Sequence, residues 1–435
     1  MPQGDRTLED WLDFIQSIHR RTMDLQLDRV RRVLHRMSFV RPRWVITVGG
    51  TNGKGSTIAV LESIYREAGF RVGAYTSPHL VNYCERFRID GKDAGEVHLL
   101  RAFEKVEKAR SGISLTYFEY STLVALSLFQ ASQVQLALLE IGLGGRADAV
   151  NAITPDIACI TSIALDHEAW LGTSREKIGY EKAGIMRYRG RVVVNDPAPP
   201  CSVLDRSLLL DCRLRRVGLD YTFSSGNQLW CWEANPESWA SARSYRHLPL
   251  PSISGPLAVH HAAGALAVVE SMQVGPSVLA KSIHSGLTRV VLGGRIQVLG
   301  GAVEQVLDVA HNPAAVANLL AFLTQRPVAT RTHAVFSMLM DKDAVSVVET
   351  MGPIVDSWHL AELDGERAMP MVELLNVVAT HASGSILSYP DVIAAYRGGL
   401  SRAKPGERLI VFGSFLLVGA ILSDTESEPR QGLNG

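Results

Sequence analysis

The chain has 435 residues, of which 46% are hydrophobic and 20% charged, a composition typical of a globular enzyme. Its 44 basic residues balance its 44 acidic residues, so the net charge gives no reason to expect binding to nucleic acid or to an anionic membrane. We interpret local basic clusters, such as Arg29, Arg31 and Arg32, as solvated faces. At this length the chain is expected to form two or three domains.

Cysteine usage and apolar runs bear on the cellular compartment. The five cysteines are odd in number and include no Cys-x-x-Cys pair, which favours reduced thiols in a cytoplasm over a disulfide framework or a zinc site. The polar N-terminus from Met1 to Trp11 does not resemble a signal peptide. The longest apolar stretch, from Leu409 to Leu422, is shorter than the roughly 20 residues that span a membrane. We therefore predict a cytoplasmic protein with no membrane partner.

The first predicted strand runs into a glycine-rich loop. An apolar run at 44–48 is followed by GGTNGKGST at 49–57 and then by apolar residues at helical spacing. Glycines let backbone N–H groups approach phosphate oxygens, Lys54 and the helix N-terminus add positive charge, and the hydroxyls that follow can hold Mg²⁺. The loop departs from the standard pattern at Val48, where glycine is usual, and at Gly55, which separates the lysine from the hydroxyls. A simple turn is the alternative, but the strand–loop–helix context favours a nucleoside triphosphate site.

Further apolar runs alternate with helical patterns. Strands are predicted at 72–75, 136–141 and 157–163, and helices around 97–110 and 120–131. This alternation predicts a doubly wound, mostly parallel sheet, in which ligands bind beyond the carboxyl ends of the strands. Four residues at or just past such ends are expected to share one cleft: Gly53, Ser77, Glu140 and His167.

The chain changes character after residue 195. Residues 195–256 have short alternating runs rich in Pro, Ser, Trp and Arg, which indicates a β-rich insertion. A linker at 292–294 leads to a second alternating unit, with strands at 305–307, 334–336, 358–361 and 409–412 and a helix from Pro313. We therefore predict an α/β protein: a P-loop domain with a doubly wound, mostly parallel sheet at 1–293, then a smaller Rossmann-like α/β domain at 294–435.

Several residues near the strand ends suit chemistry, and each also has a structural interpretation. Glu140 offers the hard oxygen that Mg²⁺ prefers, whereas His167 is an uncommon Mg²⁺ ligand and on chemistry alone is a hydrogen-bonding residue. Ser77 alone is typical of a helix or turn cap. Asp148, in a glycine-rich loop, either accepts hydrogen bonds from a heterocycle or completes a tight turn. Lys182, in isolation, is interpreted as a surface helix lysine.

A second ligand-facing corner is predicted in the C-terminal half. Asp308 and His311 lie between a predicted strand and the helix that starts at Pro313. In a doubly wound unit such a corner faces the ligand, although Asp308 or Asn312 also suits a helix cap. The two interpretations are compatible.

Eight short blocks, taken in order, resemble the folylpolyglutamate synthase/dihydrofolate synthase family, a branch of the Mur ligase superfamily. Each block alone is weakly specific, but the ordered set is strongly so, and the resemblance covers residues 19 to 416. The blocks are GTNGKGS at 50–56, YTSPHL at 75–80, EIGLGGRADAVN at 140–151, TSIALDH at 161–167, EKAGI at 181–185, GRIQ at 294–297, DVAHNP at 308–313 and FGSF at 412–415.

The resemblance implies an ATP-dependent ligase that joins a carboxylate to the amine of L-glutamate. In that family the carboxylate attacks the γ-phosphate of ATP to give an acyl phosphate, from which the glutamate amine displaces phosphate. Little covalent protein chemistry is needed, so positioning and neutralisation of phosphate charge account for catalysis. The implied partners are small molecules: dihydropteroate, reduced folates and L-glutamate.

The resemblance also implies roles for individual residues. The phosphate loop is matched by Thr51, Asn52, Gly53, Lys54, Gly55, Ser56 and Thr57. The Mg²⁺ ligands, at one of two expected sites, are matched by Ser77, Glu140 and His167, which reverses the interpretation of His167 from chemistry alone. The expected catalytic residues are Lys54, His167, Lys182, Arg295 and His311, and Lys182 matches a lysine that is carbamylated in similar enzymes. Arg295 matches the arginine that reaches the ATP phosphates, and Asp308 matches the acid that binds the ribose. The pterin pocket is matched by Thr116, Phe118 and Asp148, with their neighbours Tyr117, Glu119, Ala147 and Ala149.

Three positions depart from the family pattern. His261 stands where the family has an Asn that touches the nucleotide, so His261 is our candidate for that contact. Val150 replaces a Thr, and Gly293 replaces a Pro before the Gly-Arg pair, so a looser linker is expected. None of these positions belongs to the phosphate or metal set.

The residues also leave alternative activities to weigh. Members of the family add the first glutamate to dihydropteroate, extend the tail of reduced folates, or do both, and Thr116, Phe118 and Asp148 favour both. The alternatives are folylpolyglutamate synthase activity alone, a Mur-type ligase of cell-wall precursors, and a non-catalytic P-loop switch. The 48 residues before Gly49 are too few for the extra N-terminal domain of a Mur ligase. A switch has no need of the metal and lysine residues together. We expect a monomer.

Overall fold

The computed structural model describes residues 6–21, 24–239, 241–272, 278–327 and 329–427. Contacts divide the chain into two compact units. Unit 1 comprises Met1–Pro78, Cys84–Ser252 and Ala258–Val291, and unit 2 comprises His79–Tyr83, Ile253–Leu257 and Leu292–Gly435. The assignment of a nucleotide- and pterin-binding domain to 1–293 and a ligase domain to 294–435 stays a prediction.

Unit 1 contains two sheets. Its strands are β1 (Trp44–Gly49), β2 (Val72–Tyr75), β3 (Phe87–Ile89), β4 (Lys92–Asp93), β5 (Leu136–Glu140), β6 (Ile157–Ile160), β7 (Arg191–Val194), β8 (Arg213–Arg216), β9 (Tyr221–Ser225), β10 (Leu229–Ala234) and β11 (Tyr245–Pro249). The large sheet has the order β4-β3-β2-β5-β1-β6-β7-β8 and is parallel from β2 to β8, with β3 and β4 antiparallel at one edge. The small sheet is antiparallel, in the order β11-β10-β9.

The helices of unit 1 explain why its central parallel strands, such as β5, are continuous apolar runs. These helices are α1 (Leu8–Ser17), α2 (Asp28–Arg36), α3 (Lys54–Glu67), α4 (Glu96–Arg110), α5 (Tyr117–Ala131), α6 (Glu168–Leu171), α7 (Arg175–Lys182), α8 (Cys201–Leu209), α9 (Ala258–Met272) and α10 (Ala280–Arg289). Every residue of β5 is buried. Because successive strand residues point to opposite faces, both faces of the sheet are covered there.

Helix α3, which follows the glycine-rich loop, is buried on nearly every side. Helix α10 approaches it closely, because the Ser63 hydroxyl donates a hydrogen bond to the Gly286 carbonyl at 2.8 Å. A Cβ at Gly286 would lie 2.7 Å from the Cα of Ile64, so only glycine allows this backbone contact. Packing therefore holds the helix that begins at the loop along its length.

The segment 195–256, predicted to be β-rich, also contains a helix. Residues Cys201–Leu209 form α8, and β8 joins the large sheet at its edge. The carboxylate of Glu176 accepts hydrogen bonds from the backbone N–H groups of Cys201 and Ser202 at 3.0 and 2.8 Å. It thus satisfies the donors that the start of a helix leaves unpaired. The separate antiparallel sheet is confined to Tyr221–Pro249.

Unit 2 is a smaller α/β sandwich. Its strands are β12 (Gln297–Leu299), β13 (Glu304–Leu307), β14 (Thr332–Phe336), β15 (Ser357–Ala361), β16 (Ser385–Tyr389) and β17 (Arg408–Phe412), and its helices are α11 (Pro313–Thr324), α12 (Ala344–Met351), α13 (Met371–His381), α14 (Val392–Arg402) and α15 (Phe415–Ser427). The sheet order is β12-β13-β17-β14-β15-β16, and only the pairing of β12 with β13 is antiparallel. Neighbouring residues Val335 and Phe336 belong to different apolar clusters, so this sheet too is covered on both faces.

The predicted fold class is confirmed: a large, mostly parallel α/β sheet and a second, smaller α/β sheet. The longest apolar stretch of the sequence is strand β17, predicted at 409–412, continuing into helix α15. Among the helices of the described ranges, none combines the length and the hydropathy needed to cross a membrane.

Candidate functional site

The glycine-rich loop between β1 and α3 requires glycine at two positions. Gly50 has a φ of 149° and Gly53 a φ of 84°, values that residues with a Cβ rarely adopt. There is also no room for a side chain at either position. A Cβ at Gly50 would lie 1.9 Å from Oγ1 of Thr161, and a Cβ at Gly53 would lie 2.4 Å from Nε2 of His261. The loop therefore exposes backbone N–H groups at the N-terminus of α3, where an anion is favoured.

Residues just beyond β6 hold this loop in place. The Thr161 hydroxyl donates to the carbonyl of Asn52 at 2.7 Å, and the Thr51 hydroxyl donates to the carbonyl of Ala164 at 3.1 Å. The N–H of Thr51 donates to the carbonyl of Ser162 at 2.6 Å. Two adjacent parallel strand ends thus fix the loop conformation. Thr161 belongs to the matched block at 161–167, but no role was predicted for its hydroxyl from the sequence.

Two lysines direct their ammonium groups at the carbonyl groups of the loop. Nζ of Lys54 lies 3.2 Å from the carbonyl oxygens of both Gly50 and Thr51, and 4.0 Å from Oε1 of Glu140. Nζ of Lys182 donates to the carbonyl of Gly50 at 2.8 Å. Lys182 is only 5% exposed, so its interpretation as a surface lysine is wrong.

Burial changes the acid–base behaviour of Lys182. Removal from water, and secondarily the charge of Lys54, lowers the pKa of Lys182 to about 7, while Asp166 and Asp148 act in the opposite direction. A large fraction of this amine is therefore neutral near pH 7. The neutral amine is the nucleophilic form of lysine.

Glu140 and Ser77 meet at the carboxyl ends of β5 and β2. Glu140 is buried, and its Oε2 accepts a hydrogen bond from the N–H of Ser77 at 3.1 Å. On the first turn of α3, the buried Oγ1 of Thr57 has no hydrogen-bond partner within the described residues. In the same described ranges, no three His, Cys, Asp or Glu side chains cluster as a metal site. A cation held at Glu140 therefore needs hydroxyl, phosphate or water oxygens as well, a set that fits Mg²⁺.

His167 lies just past β6, at the start of the short helix α6. Its backbone is left-handed, with a φ of 53°. Nε2 of His167 lies 3.9 Å from the carboxylate of Asp166. The structure therefore places this imidazole, like Ser77 and Glu140, at the carboxyl edge of the large sheet.

Helix α9 places His261 against the phosphate loop. Nδ2 of Asn195 donates to the carbonyl of His260 at 3.0 Å, and Nε2 of His260 lies 2.6 Å from the carbonyl of Asn195. A Cβ at Gly264 would lie 2.5 Å from the Asn195 side chain, so glycine lets α9 approach the end of β7. The imidazole of His261 is consequently held beside Gly53.

Phe118 and Asp148 meet at the glycine-rich loop that follows β5. A Cβ at Gly142 would lie 2.5 Å from the Phe118 ring. Asp148 is buried and accepts hydrogen bonds from the N–H groups of Leu143 and Val150, each at 2.9 Å. Burial raises the pKa of Asp148 to about 7, against the opposing effect of these donors. Asp148 therefore completes a tight turn, and its role toward a heterocycle stays a prediction.

Thr116 and Glu119 form a capping box at the start of α5. The N–H of Glu119 donates to the Thr116 hydroxyl at 3.2 Å, and the N–H of Thr116 donates to the Glu119 carboxylate at 2.8 Å. Arg29 donates through Nε to both oxygens of that buried carboxylate at 3.2 Å, and through Nη1 to Asp24 at 2.7 Å. The interpretation of Arg29 as part of a solvated face is therefore wrong.

In unit 2, Asp308 lies at the carboxyl end of β13. Its buried carboxylate accepts hydrogen bonds from the N–H groups of Ile296 and Ala310 at 2.7 and 2.6 Å. Burial raises the pKa of Asp308 to about 6, although the charge of Arg295 and these two donors lower it. The cap of helix α11 is Asn312, so Asp308 instead joins the strand end to the segment that carries Arg295.

His311 and Arg295 lie against one aromatic ring. Nδ1 of His311 lies 2.8 Å from the carbonyl of Val309, so Nδ1 carries the proton. The His311 ring centroid is 5.7 Å from that of Phe415, and the guanidinium carbon of Arg295 is 4.6 Å from the same ring centroid. Unit 2 thus brings Arg295, Asp308 and His311 together.

Comparison with known proteins establishes the family. The dihydrofolate synthase/folylpolyglutamate synthase of Escherichia coli K12 is 38% identical over 432 residues, which cover 99% of this chain and 98% of that protein. The protein of the same name from Haemophilus influenzae is 37% identical over 428 residues, which cover 94% of this chain and 95% of that one. The chain belongs to the dihydrofolate synthase/folylpolyglutamate synthase family.

Solved structures of the family have the same fold. Escherichia coli FolC in complex with DHPP and ADP has a TM-score of 0.91 and 36% identity, over 98% of this chain and 99% of that one. A bifunctional folylpolyglutamate synthase/dihydrofolate synthase with Mn, AMPPNP and L-glutamate bound has a TM-score of 0.89 and 38% identity, over the same shares. The family described as "Mur ligase, glutamate ligase domain" matches residues 294–415, which belong to unit 2. The predicted family and ligase class are confirmed.

The remaining predicted residues lie next to those already described in the chain. The Tyr117 ring is 5.4 Å from the guanidinium carbon of Arg86, and Ala147 and Ala149 flank the buried Asp148. Ser56 and Thr57 are buried in the first turn of α3, where a Cβ at Gly55 would meet no other group within 4 Å. The roles of Arg29 and of the Thr161 hydroxyl were not predicted from the sequence. The individual roles of the predicted residues stay predictions.

Proposed function

We propose that this chain is an ATP-dependent ligase that adds L-glutamate to dihydropteroate, forming dihydrofolate, and also to the glutamate tail of reduced folates. Identity of 38% along 99% of the chain to a dihydrofolate synthase/folylpolyglutamate synthase carries the proposal. Similar structures that hold DHPP with ADP, and AMPPNP with Mn and L-glutamate, support it.

The proposed reaction has two displacements. The acceptor carboxylate attacks the γ-phosphorus of ATP, which gives an acyl phosphate and releases ADP. The amine of L-glutamate then attacks the acyl carbon, loses a proton and expels inorganic phosphate. Phosphorylation is needed because a carboxylate is a poor acyl donor and phosphate is a good leaving group.

The phosphate loop orients ATP for the first displacement. Its N–H groups and the N-terminus of α3 bind the phosphate oxygens, and Lys54 supplies a full positive charge where charge develops. The hydrogen bonds from Thr161 and Thr51 keep the loop in one shape, which lowers the cost of ordering it around the nucleotide. His261, beside Gly53, contributes a further nucleotide contact.

Glu140, with Ser77 and His167, would hold a divalent cation. When bound, Mg²⁺ neutralises charge on the phosphate oxygens and so favours attack by an anionic carboxylate. Glu140 fits this role because its carboxylate is buried beside the ammonium of Lys54, at 4.0 Å. We place the second of two proposed metal sites near Lys182.

Lys182 is proposed to carry a carbamate. Its neutral amine adds to the carbon of CO₂ and releases one proton, which leaves an anionic carbamate able to help position Mg²⁺. The lowered pKa, about 7, supports this step because the amine must be neutral to react.

Thr116, Phe118 and Asp148 are proposed to bind the pterin. The Phe118 ring presents a flat apolar face next to the backbone of Gly142. The Thr116 hydroxyl accepts the N–H of Glu119 and keeps its own proton for donation. Asp148, with a pKa of about 7, can accept or donate toward a heterocycle. Tyr117, Glu119, Ala147 and Ala149 shape the pocket around them.

Unit 2 contributes the other proposed ligase residues. Arg295 binds ATP phosphates, and Asp308 accepts hydrogen bonds from the ribose hydroxyls through lone pairs not used by its two N–H donors. His311, with its proton fixed on Nδ1, acts at the reacting groups through its other nitrogen.

Phosphate release from Mg·ATP tests the proposal, with dihydropteroate or tetrahydrofolate as acceptor and products identified by mass. We expect L-glutamate-dependent release with both acceptors and products heavier by one glutamyl residue. The E140Q variant controls for contaminating ATP hydrolysis. Release with tetrahydrofolate alone would reduce the function to folylpolyglutamate synthase, and release that needs no acceptor would contradict ligase activity.

We also propose that the ligase acts as a cytoplasmic monomer. Its substrates are small molecules, and no partner chain is needed to supply the proposed residues. Light scattering coupled to gel filtration tests the oligomeric state, and a mass near twice 47.5 kDa would contradict it.

A further inference from the structure

Phe415 is the first residue of helix α15. It belongs to the FGSF block at 412–415, to which the proposed reaction assigns no role. Strand β17 ends at Phe412, and Gly413 turns the chain with a φ of 117°. A Cβ at Gly413 would lie 2.3 Å from the carbonyl of Ser337, so the turn requires glycine. The Ser414 hydroxyl then accepts the N–H of Leu416 at 3.1 Å. This strand–turn–helix fixes the direction in which Phe415 leaves the sheet.

Strand β13 ends beside the same turn. The N–H of Asp308 donates to the carbonyl of Val411, and the N–H of Gly413 donates to the carbonyl of Ala310, each at 2.9 Å. These two hydrogen bonds join the segment 308–310, just before His311, to the segment 411–413, just before Phe415. The imidazole and the phenyl ring consequently lie 5.7 Å apart, inclined at 58°.

The same ring lies against Arg295. The guanidinium carbon is 4.6 Å from the ring centroid, well within the range of a cation–π interaction. Arg295 is also attracted by the buried carboxylate of Asp308, whose pKa it lowers. The charge of Asp308 attracts the planar guanidinium without fixing its orientation. The face of an aromatic ring, in contrast, favours one orientation of the guanidinium.

We propose that Phe415 is a positioning residue for the ligase reaction, because it holds the guanidinium of Arg295 and the imidazole of His311 in fixed orientation against one ring. The inference rests on the proposed function, which assigns Arg295 to the ATP phosphates and His311 to the reacting groups. The inference assigns to Phe415 contacts with Arg295 and His311 and none with substrate or nucleotide. It acts on the rate through the two side chains that it supports.

The test compares F415L, F415Y and F415W with the wild-type enzyme in the phosphate-release assay. F415L removes the π-face and keeps an apolar side chain, and we expect it to raise KM for ATP and lower kcat/KM for ATP about 5- to 20-fold. KM for dihydropteroate should stay within about twofold, because the pterin pocket belongs to unit 1. F415Y and F415W keep an aromatic face and should retain activity within about threefold.

Phe322 provides a matched control in the same unit. The guanidinium carbon of Arg326 lies 5.1 Å from the Phe322 ring centroid, so F322L also removes a half-buried cation–π contact, away from the proposed site. We expect F322L to keep wild-type kinetics. A cycle of F415L with R295A tests the coupling, because loss of the ring should cost little more once the guanidinium is gone.

Each outcome has a defined meaning. Loss of kcat/KM in F415L, recovery in F415Y and non-additivity with R295A would support the inference. An active wild-type enzyme whose F415L variant matches F322L, or whose F415L and R295A losses multiply in full, would overturn the inference and leave the proposed function standing. A wild-type chain that releases no phosphate with either acceptor would overturn the proposed function itself.

Discussion

We expect acid to destabilise unit 2 through the buried imidazole of His359. His333 and His359 lie on the neighbouring strands β14 and β15, with Nδ1 of His333 3.3 Å from Nε2 of His359. Nε2 of His333 lies 3.0 Å from the carboxylate of Glu407, and Nδ1 of His359 lies 2.9 Å from the hydroxyl of Tyr389. When both rings are neutral, each of these contacts has one donor and one acceptor. A second proton on His359 would turn one acceptor into a donor.

The size of the effect follows from the pKa. Burial lowers the pKa of His359 from 6.5 to about 4, and the charges of His333 and Arg402 act in the same direction. Between these two values the unfolded chain binds a proton that the folded protein does not. Stability from this group is therefore complete above pH 6.5 and is lost as the pH falls toward 4. The full effect is about 3 kcal/mol, a large part of the roughly 5–15 kcal/mol by which domains are stable.

Trp358 allows unit 2 to be observed separately. It is the one tryptophan of seven in the sequence that falls in unit 2, and it is buried in the core there. Urea unfolding followed by ¹⁹F NMR of protein labelled with 5-fluorotryptophan reports on this unit, with the resonance assigned by a W358F variant. The measurement is made at pH 7 and pH 4.5.

The H359Q variant isolates the contribution of the imidazole. A glutamine amide keeps an acceptor for Tyr389 and a donor for His333 but does not titrate. Glu407 and the other carboxylates titrate in both proteins and cancel in the comparison. We expect wild type to lose about 2.5 kcal/mol more than H359Q between pH 7 and pH 4.5. Parallel losses in the two proteins would refute the reasoning.

Three further substitutions test other contacts. K182A should reduce phosphate release about tenfold or more, because it removes the buried amine that contacts Gly50. K177A, on the same helix, is the control and should not reduce it. Near-normal turnover of K182A would rule out the carbamate. G286A should lower the free energy of unfolding of unit 1 by about 1–3 kcal/mol, since its Cβ would meet the backbone of α3 at 2.7 Å. G55A, in the same unit and with nothing within 4 Å of its Cβ, is the control in the same urea titration. R29Q leaves the buried Glu119 carboxylate without its cation and should lower the free energy of unfolding by about 1–3 kcal/mol, measured by heat or urea. R31Q, at an exposed position of the same helix, should lower it little. Equal losses of stability in the two variants would contradict the pairing of Arg29 with Glu119.

The phosphate loop and the parallel strands beside it were accessible from the sequence because their determinants are consecutive residues. The run from Trp44 to Thr57 contains the strand, the glycines and the helix start in order, and strand ends can be read from where apolar runs stop. The same logic located Glu140, His167 and Asp308 at carboxyl ends. Local sequence patterns were sufficient to predict those features whose residues all lie in one continuous segment.

Contacts between distant segments were not accessible in this way. Helix α8 is capped by Glu176, which lies 25 residues before Cys201, so no local capping signal marks its start. Arg29 and Glu119 are 90 residues apart, and nothing near Arg29 distinguishes it from the exposed arginines beside it. The burial of Lys182 likewise depends on the position of Gly50, 132 residues away. Tertiary packing decides such cases.

The contact between Gly50 and Thr161 also limits how this gene can change. The Thr161 hydroxyl lies in the volume that any side chain at position 50 would need, and the same hydroxyl fixes the carbonyl of Asn52. A side chain at position 50 is therefore disfavoured both by this hydroxyl and by the φ of 149° at Gly50, and a residue at 161 without a hydroxyl no longer holds the loop. Two positions that are 111 residues apart in the sequence are consequently coupled in space, and serine is the substitution at 161 that keeps the hydroxyl and leaves Gly50 unaffected.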